Sequence, residues 1–272
     1  MIVSKDILSP QHIQSAIALG FFDGVHLAHR AVISRAVKEA ERSSLVPCVF
    51  TFDSKGAVPA GKTGLTLLQT EEQKDRILSE MGVERVYSPD FDTFKMLEPR
   101  AFVEQVLIGN LGAKVLVCGY NYHFGKGALG GVEDLRRLCQ PYGTKVIAIE
   151  PVYCCGEIVS STRIRQAVRD GLVKEAALLL GSPFTIEAKP AWHKMANTGS
   201  WQIVQTLSAD FTVPKPGKYA SEILLGKARY IGETLVEADT AVRCITYLHQ
   251  YHEKPFEGTV KVSLLQQLDE IK

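Results

Sequence analysis

At 272 residues and 46% hydrophobic content, the chain can build one large or two ordinary domains with a real core. Its 31 Lys and Arg against 30 Asp and Glu leave a net charge of +1, which excludes the broad basic field of a nucleic-acid binder. No apolar run is long enough for a signal peptide or a membrane span, and the six Cys show no C-x-x-C pair or zinc spacing, so a reduced, cytoplasmic protein with no membrane partner is expected.

Residues 15–19 are short, apolar and strand-compatible, whereas 25–41 carry apolar residues at helical spacing: Val25, Ala28, Val32 and Ala36, then Ile33, Val37 and Ala40. Between them Gly20, Phe22, Asp23 and Gly24 make a Gly-punctuated turn. That turn precedes a helix N-terminus, where backbone N–H groups and the helix dipole favour an anion. His26 and His29, three apart in the first helical turn, share one face beside those amides and form a candidate phosphate cradle. The spacing fits neither a P-loop nor a dinucleotide-binding glycine turn.

Further on, 46–52 reads as a buried strand ending at Phe52 and Asp53, and 57–65 as a Gly- and Pro-rich loop. Thr70 and Gln73 have the spacing of a capping box for a helix over 71–81, stopped by Gly82. A strand at 83–87, a helix from Pro99 to about 107 and a strongly apolar strand at 113–118 follow. That strand runs into Gly119-Tyr120-Asn121-Tyr122-His123-Phe124-Gly125-Lys126-Gly127, a loop of glycines, aromatics and hydrogen-bonding groups. Open α/β sheets bind ligands at such strand ends. A helix at 132–139 and a strand at 145–149 lead to Val159-Ser160-Ser161-Thr162-Arg163-Ile164-Arg165. Ser160 or Ser161 suits the N-cap of a helix toward Val168, and 172–180 forms another helix, ending at Gly181.

Strand–helix alternation from 15 to about 181 argues an open, mostly parallel α/β sheet with helices on both faces. After Pro183 the helical spacing fades. Short runs at 202–207, 219–225, 228–236, 243–248 and 259–264 read as a small antiparallel β-barrel or sandwich, closed by a helix at 265–271. The expected domains are therefore 1–183 and 184–272.

The stretch from Gly20 to His29 resembles the G-x-F-D-G-x-H-x-G-H motif of the bacterial bifunctional riboflavin kinase/FAD synthetases, in their N-terminal FMN adenylyltransferase domain. Two positions depart from it: Ala28 stands for Gly, and Phe21 for the usual Asn. The 119–125 loop is similar to the family's G-x-D/N-F-x-F-G loop, and 159–165 to its I-S-S-T-x-I-R motif. The resemblance implies a Rossmann-like nucleotidyltransferase sheet followed by a riboflavin kinase barrel. It also implies transfer of AMP from ATP to FMN, with Mg2+ on the phosphates. By resemblance, His26, His29, Asn121 and Arg165 are the catalytic candidates. Gly20, Phe22, Asp23, Gly24, Gly119, Ser161 and Thr162 are the nucleotide-binding candidates, with Phe52 and Phe124 for flavin stacking.

The family's Asp-Pro-His-Pro segment is replaced by Asp53-Ser54-Lys55-Gly56. The kinase's G-x-P-T-A-N motif is missing, Ala196-Asn197-Thr198-Gly199 being the nearest string, and Val260-Lys261-Val262 stands where an acidic base belongs. An inactive barrel is expected. The alternatives are a working bifunctional enzyme, transfer of a nucleotidyl group to another phosphorylated metabolite, and a flavin- or nucleotide-binding paralogue without turnover. Oligomeric state is not legible.

Overall fold

The computed structural model describes residues 1–52, 66–238, 241–249, 251 and 253–268. The expectations for the segment from Asp53 and for a loop at 57–65 lie outside those residues. Two compact units divide the chain: Met1–Gly64 with Lys74–Ile158, and Leu65–Gln73 with Val159–Lys272.

The first unit is built on a six-stranded parallel sheet: β1 (Ile2–Ser4), β2 (Ser15–Leu19), β3 (Val46–Phe50), β4 (Arg85–Tyr87), β5 (Ala113–Gly119) and β6 (Lys145–Ile149), in the order β1-β4-β3-β2-β5-β6. Alternation along the strands supplies two cores. Ala16, Ala18, Val49, Val86, Val115 and Val117 pack with Val32, Ile33, Ala36 and Ala40 of α1 (Leu27–Ser43) and Leu78 of α2 (Glu71–Glu80). On the other face Ile17, Leu19, Cys48, Phe50, Leu116 and Cys118 pack with Leu135 and Leu138 of α4 (Val132–Cys139). Phe102, Val103, Val106 and Leu107 join that second core. They belong to a π-helical stretch, Phe102–Asn110, that continues the short α3 (Pro99–Ala101). Helices therefore cover both faces, as the alternation predicts.

Three details differ from expectation. β1, at the sheet edge, is too short to carry a pattern. The helix from Pro99 opens into π geometry, with Leu111 N–H donating to Val106 O at 2.9 Å. A hairpin of β7 (Tyr153–Cys154) and β8 (Glu157–Ile158) lies between β6 and the Ser-Ser-Thr string. The capping box at α2 is present: Thr70 N–H donates to Gln73 Oε1 (2.7 Å) and Gln73 N–H to Thr70 Oγ1 (3.2 Å).

The second unit holds α5 (Ser161–Arg169), α6 (Val173–Leu180) and seven antiparallel strands: β9 (Phe184–Ala188), β10 (Ala191–Lys194), β11 (Trp201–Thr206), β12 (Gly217–Leu225), β13 (Ala228–Ala238), β14 (Val242–Leu248) and β15 (Val260–Leu268). Their order is β10-β11-β14-β13-β12-β15-β9. Gln205 of β11 donates to Ala188 O of β9 (3.3 Å) and Val260 O of β15 (3.0 Å). Strands near opposite edges of the sheet therefore meet, so the sheet curls into a half-barrel. The helix expected at 265–271 is corrected. Through Leu268 the chain stays in β15, where Gln266, Gln267 and Leu268 pair with Ala220, Tyr219 and Lys218 of β12. The Leu and Gln spacing that reads as helical yields to ladder pairing, a tertiary override of local preference.

Candidate active site

The chain runs outward from β2 through β3 to β4, then returns to place β5 on the other side of β2. That reversal puts a topological switch point between β2 and β5, and ligands of open α/β sheets bind beyond the carboxyl ends of the strands there. Because β3, β2 and β5 are parallel neighbours, the turn after β2, Thr51-Phe52 after β3 and the loop after Gly119 emerge along one edge. The sheet thus brings together Gly20, Phe22, Asp23, Gly24, His26, Phe52, Gly119 and Asn121, which sequence spacing alone only nominates.

The turn after β2 is shaped by left-handed backbone. Phe22, Gly24 and Val25 have φ of 55°, 86° and 35°. Gly24 takes such a conformation freely, but β-branched Val25 takes it at a cost of about 1–3 kcal/mol. Helix α1 consequently starts at Leu27 rather than at Val25, with His26 in extended backbone as its N-cap. The His26 ring Nδ1 accepts the N–H of His29 at 3.3 Å. An accepting Nδ1 fixes the tautomer in which Nε2 carries the proton of the neutral ring. The two imidazoles stack, with centroids 3.6 Å apart and planes 16° from parallel, and Phe22 meets His29 edge-on at 5.3 Å. Phe22, Asp23, Gly24 and His26 are buried.

At the end of β3, Thr51 donates its hydroxyl to Phe21 O at 2.9 Å, joining two strand ends. Phe21 and Phe52 stack at 4.8 Å, and Phe91 lies 5.2 Å from Phe52. Phe21, at the position that departs from the motif's Asn, is brought by this stack to the same strand-end edge as the nominated residues. In the third loop Asn121 is exposed and its Oδ1 lies over Gly119, where a Cβ would come within 3.4 Å of it. Phe124 belongs to the core instead. It is buried, tilted against Phe102 at 5.9 Å and stacked on Tyr122 at 5.8 Å. That packing makes it an anchor for the loop rather than a surface for a ligand ring. Among the described residues no group of three or more His, Cys, Asp or Glu could hold a metal ion.

Ser161, Thr162 and Arg165 belong to the second unit. Ser160 caps α5, accepting Arg163 N–H at 3.3 Å, which leaves Ser161 and Thr162 as the first helical residues. Arg165 is buried, with Nε donating to Thr66 O at 2.6 Å, and Arg169 donates to Thr66 Oγ1 at 3.1 Å. Arg163, by contrast, is held by Glu175 through contacts of 2.8 and 3.0 Å. Thr66 is a support that the sequence did not announce.

A parallel sheet with a histidine turn at its switch point, followed by an antiparallel half-barrel, defines a nucleotidyltransferase architecture. The model of the FAD synthetase family matches residues 8–163, and the chain belongs to that family. The match ends two residues short of Arg165. Among curated relatives, the bifunctional riboflavin kinase/FMN adenylyltransferase of Listeria monocytogenes is 29% identical, covering 93% of this chain and 84% of that protein. The protein of the same description from Bacillus subtilis is also 29% identical, over 95% of this chain and 80% of its own length. That of Escherichia coli K12 is 30% identical, over 76% and 67%. A crystal structure described as a macrolide-efflux protein from Streptococcus pneumoniae superposes with a TM-score of 0.85 at 26% identity, covering 100% of this chain and 91% of that one. Among the described residues no helix is long and apolar enough to cross a membrane.

Proposed function

We propose that the chain makes FAD through the histidine turn at the β2–α1 junction. The reaction is adenylyl transfer: a phosphate oxygen of FMN attacks the α-phosphorus of ATP, the α–β bridging P–O bond breaks, and pyrophosphate leaves. The FMN phosphate is already anionic near neutral pH, so no strong base or side-chain nucleophile is needed. The protein must align two polyanions and neutralise charge as it builds on the leaving group. The observation that carries this reading is the stacked His26–His29 pair at the N-terminus of α1, on the switch-point edge of the sheet.

In this assignment His26 and His29 donate to ATP phosphates beside the first-turn amides. Gly20, Phe22, Asp23 and Gly24 shape the turn around them. Gly119 and Asn121 orient the nucleotide or the incoming phosphate, and Phe52, with Phe21 beneath it, offers an aromatic face to the flavin. Ser161, Thr162 and Arg165 hold the pyrophosphate end, the planar guanidinium matching phosphate oxygens. Magnesium suits the chemistry as a partner of the phosphates that keeps most of its waters, so few protein ligands are called for. Its contribution would be to neutralise phosphate charge. His29→Ala and Arg165→Lys are expected to lower FAD formation by about 100-fold or more, as for loss of other transition-state donors. Chromatographic assay of FAD checks this, with a circular dichroism spectrum to confirm folding. Near-wild-type turnover in either variant removes that residue from the mechanism.

The barrel, 184–272, is assigned no riboflavin kinase activity. Ala196–Gly199 is consumed by the β10–β11 turn, where Gly199 N–H bonds Met195 O and Met195 N–H bonds Ser200 O, each at 2.9 Å. Lys261 stands where the acid is expected and lies 3.6 Å from Glu187. The purified protein with ATP and magnesium should convert FMN to FAD but leave riboflavin unphosphorylated; FMN appearing from riboflavin would restore the bifunctional reading. Residues 1–183 are assigned the adenylyltransferase function, and the cytoplasm is its proposed location.

A further inference from the structure

The β7–β8 hairpin carries adjacent Cys154 and Cys155, for which adenylyl transfer has no use. Neither is disulfide-bonded. In an extended strand, neighbouring side chains point to opposite faces, so adjacent thiols ordinarily diverge. Here they converge. Tyr153 and Cys154 pair with Ile158 and Glu157, which leaves Cys155 and Gly156 as a two-residue loop. Their φ values are 55° and 81°, the double left-handed signature of a tight hairpin turn. That turn swings the two Sγ atoms to 3.8 Å from each other. Cys155 is exposed and Cys154 half-buried, so a small reagent can reach the pair.

We propose that Cys154 and Cys155 form a vicinal dithiol modification site, closed reversibly to an intramolecular disulfide by low-molecular-weight disulfides and able to chelate trivalent arsenicals. In the oxidation one cysteine thiolate attacks the oxidant's S–S bond and expels one small thiol, giving a mixed disulfide. The neighbouring cysteine attacks that bond and expels the second. The oxidant gains two electrons and the two thiol protons, and the protein gains one S–S bond. Consecutive Cα atoms lie about 3.8 Å apart, closer than the ~4.4–6.8 Å usual for a disulfide. The closed ring is therefore readily reduced, which places it with labile rather than structural bridges.

The remaining cysteines do not compete. Cys48, Cys118, Cys139 and Cys244 are all buried. Burial pushes the thiols of Cys48 and Cys244 up to about 12, and those of Cys118 and Cys139 to about 11. Their thiolates are scarce at neutral pH.

The test uses the reduced full-length protein. One equivalent of phenylarsine oxide should bind per chain by intact mass, and Cys154→Ser or Cys155→Ser alone should abolish uptake. Oxidised glutathione should yield a peptide bearing the Cys154–Cys155 bridge without a retained glutathione, reversed by dithiothreitol. A stable glutathione adduct on either cysteine in place of the bridge overturns the proposal, as does arsenical uptake that survives either single substitution.

Discussion

Gly20 has no side chain, and the ring of Phe22 fills the space that one would need. A Cβ built at Gly20 would sit 2.8 Å from Phe22 Cζ and 2.9 Å from Cε1. Phe22 in turn rests edge-on against His29, which stacks on His26. A methyl group at Gly20 therefore pushes, through one ring, on the pair assigned to the phosphates. Gly20→Ala is expected to lose about 1–3 kcal/mol of stability, as overpacked sites do, and to lower kcat for FAD formation. Denaturant unfolding and steady-state kinetics on the same sample measure both. A destabilised variant with unchanged kcat would show that the Phe22 contact does not set the imidazole positions. The glycine, the two histidines and their spacing are visible in the letters. The ring chain is not, because nothing in Gly-Phe-Phe-Asp-Gly says which phenylalanine folds back over the glycine and which, like Phe21, stacks outward on Phe52.

Helix α1 carries the stacked histidine pair at one end and an ion cluster toward the other. Glu39, buried on the helix, accepts Arg35 Nε at 3.0 Å, Arg42 at 3.4 Å and, from β6, Lys145 Nζ at 2.9 Å. The Lys145 hydrogen bond is the chief cause holding the Glu39 carboxyl below its usual range, against the opposing effect of burial. A depressed carboxylate stabilises the fold above its unfolded value, about 4.3, and that contribution is lost as pH falls through the folded value. Glu39→Gln should accordingly lower the melting temperature at neutral pH and flatten its decline below about pH 4.3. Melting curves across the acid range check it; a parallel acid limb in both proteins would assign that limb elsewhere. Elements with long periodic patterns, such as α1 and the strands at 15–19 and 113–118, are legible because burial and periodicity agree. β15 is not, since the spacing of Leu264, Leu265 and Leu268 fits a helix and only pairing with β12 decides otherwise. The β7–β8 hairpin escapes for a similar reason: its strands are two residues each, and Gly156 is its sole turn signal.

At the scale of the whole molecule, the change of sequence character after Pro183 and the division of the chain by packing do not coincide. Residues 66–73 and 159–181 pack with the barrel rather than with the parallel sheet. Leu67 N–H bonds Asp210 O at 2.6 Å, Thr212 N–H bonds Leu67 O at 2.7 Å, and Gln73 donates to Thr185 O at 2.9 Å. Helix α6 packs on β9 and β15, and Lys215 N–H reaches Val168 O of α5 at 3.2 Å. Composition cannot reveal such ties, because the bonds of Leu67 and Gln73 join segments more than a hundred residues apart. Arg165 is caught in them: its Nε is fixed by Thr66 O, and Thr66 Oγ1 shares a 2.8 Å hydrogen bond with Thr212. A barrel without kinase chemistry would then still brace the guanidinium assigned to the pyrophosphate. A fragment of residues 1–183 is expected to express poorly or melt well below the full chain, and any soluble fraction should make FAD more slowly. Thr212→Val in the full chain is the milder version, removing one hydroxyl while keeping the barrel. It should cost about 1 kcal/mol for the lost hydrogen bond and reduce kcat less than Arg165→Lys does. If the 1–183 fragment instead folded with native stability and full turnover, the barrel would be dispensable to the adenylyltransferase, and the bracing role of Thr66 and Thr212 would fall with it.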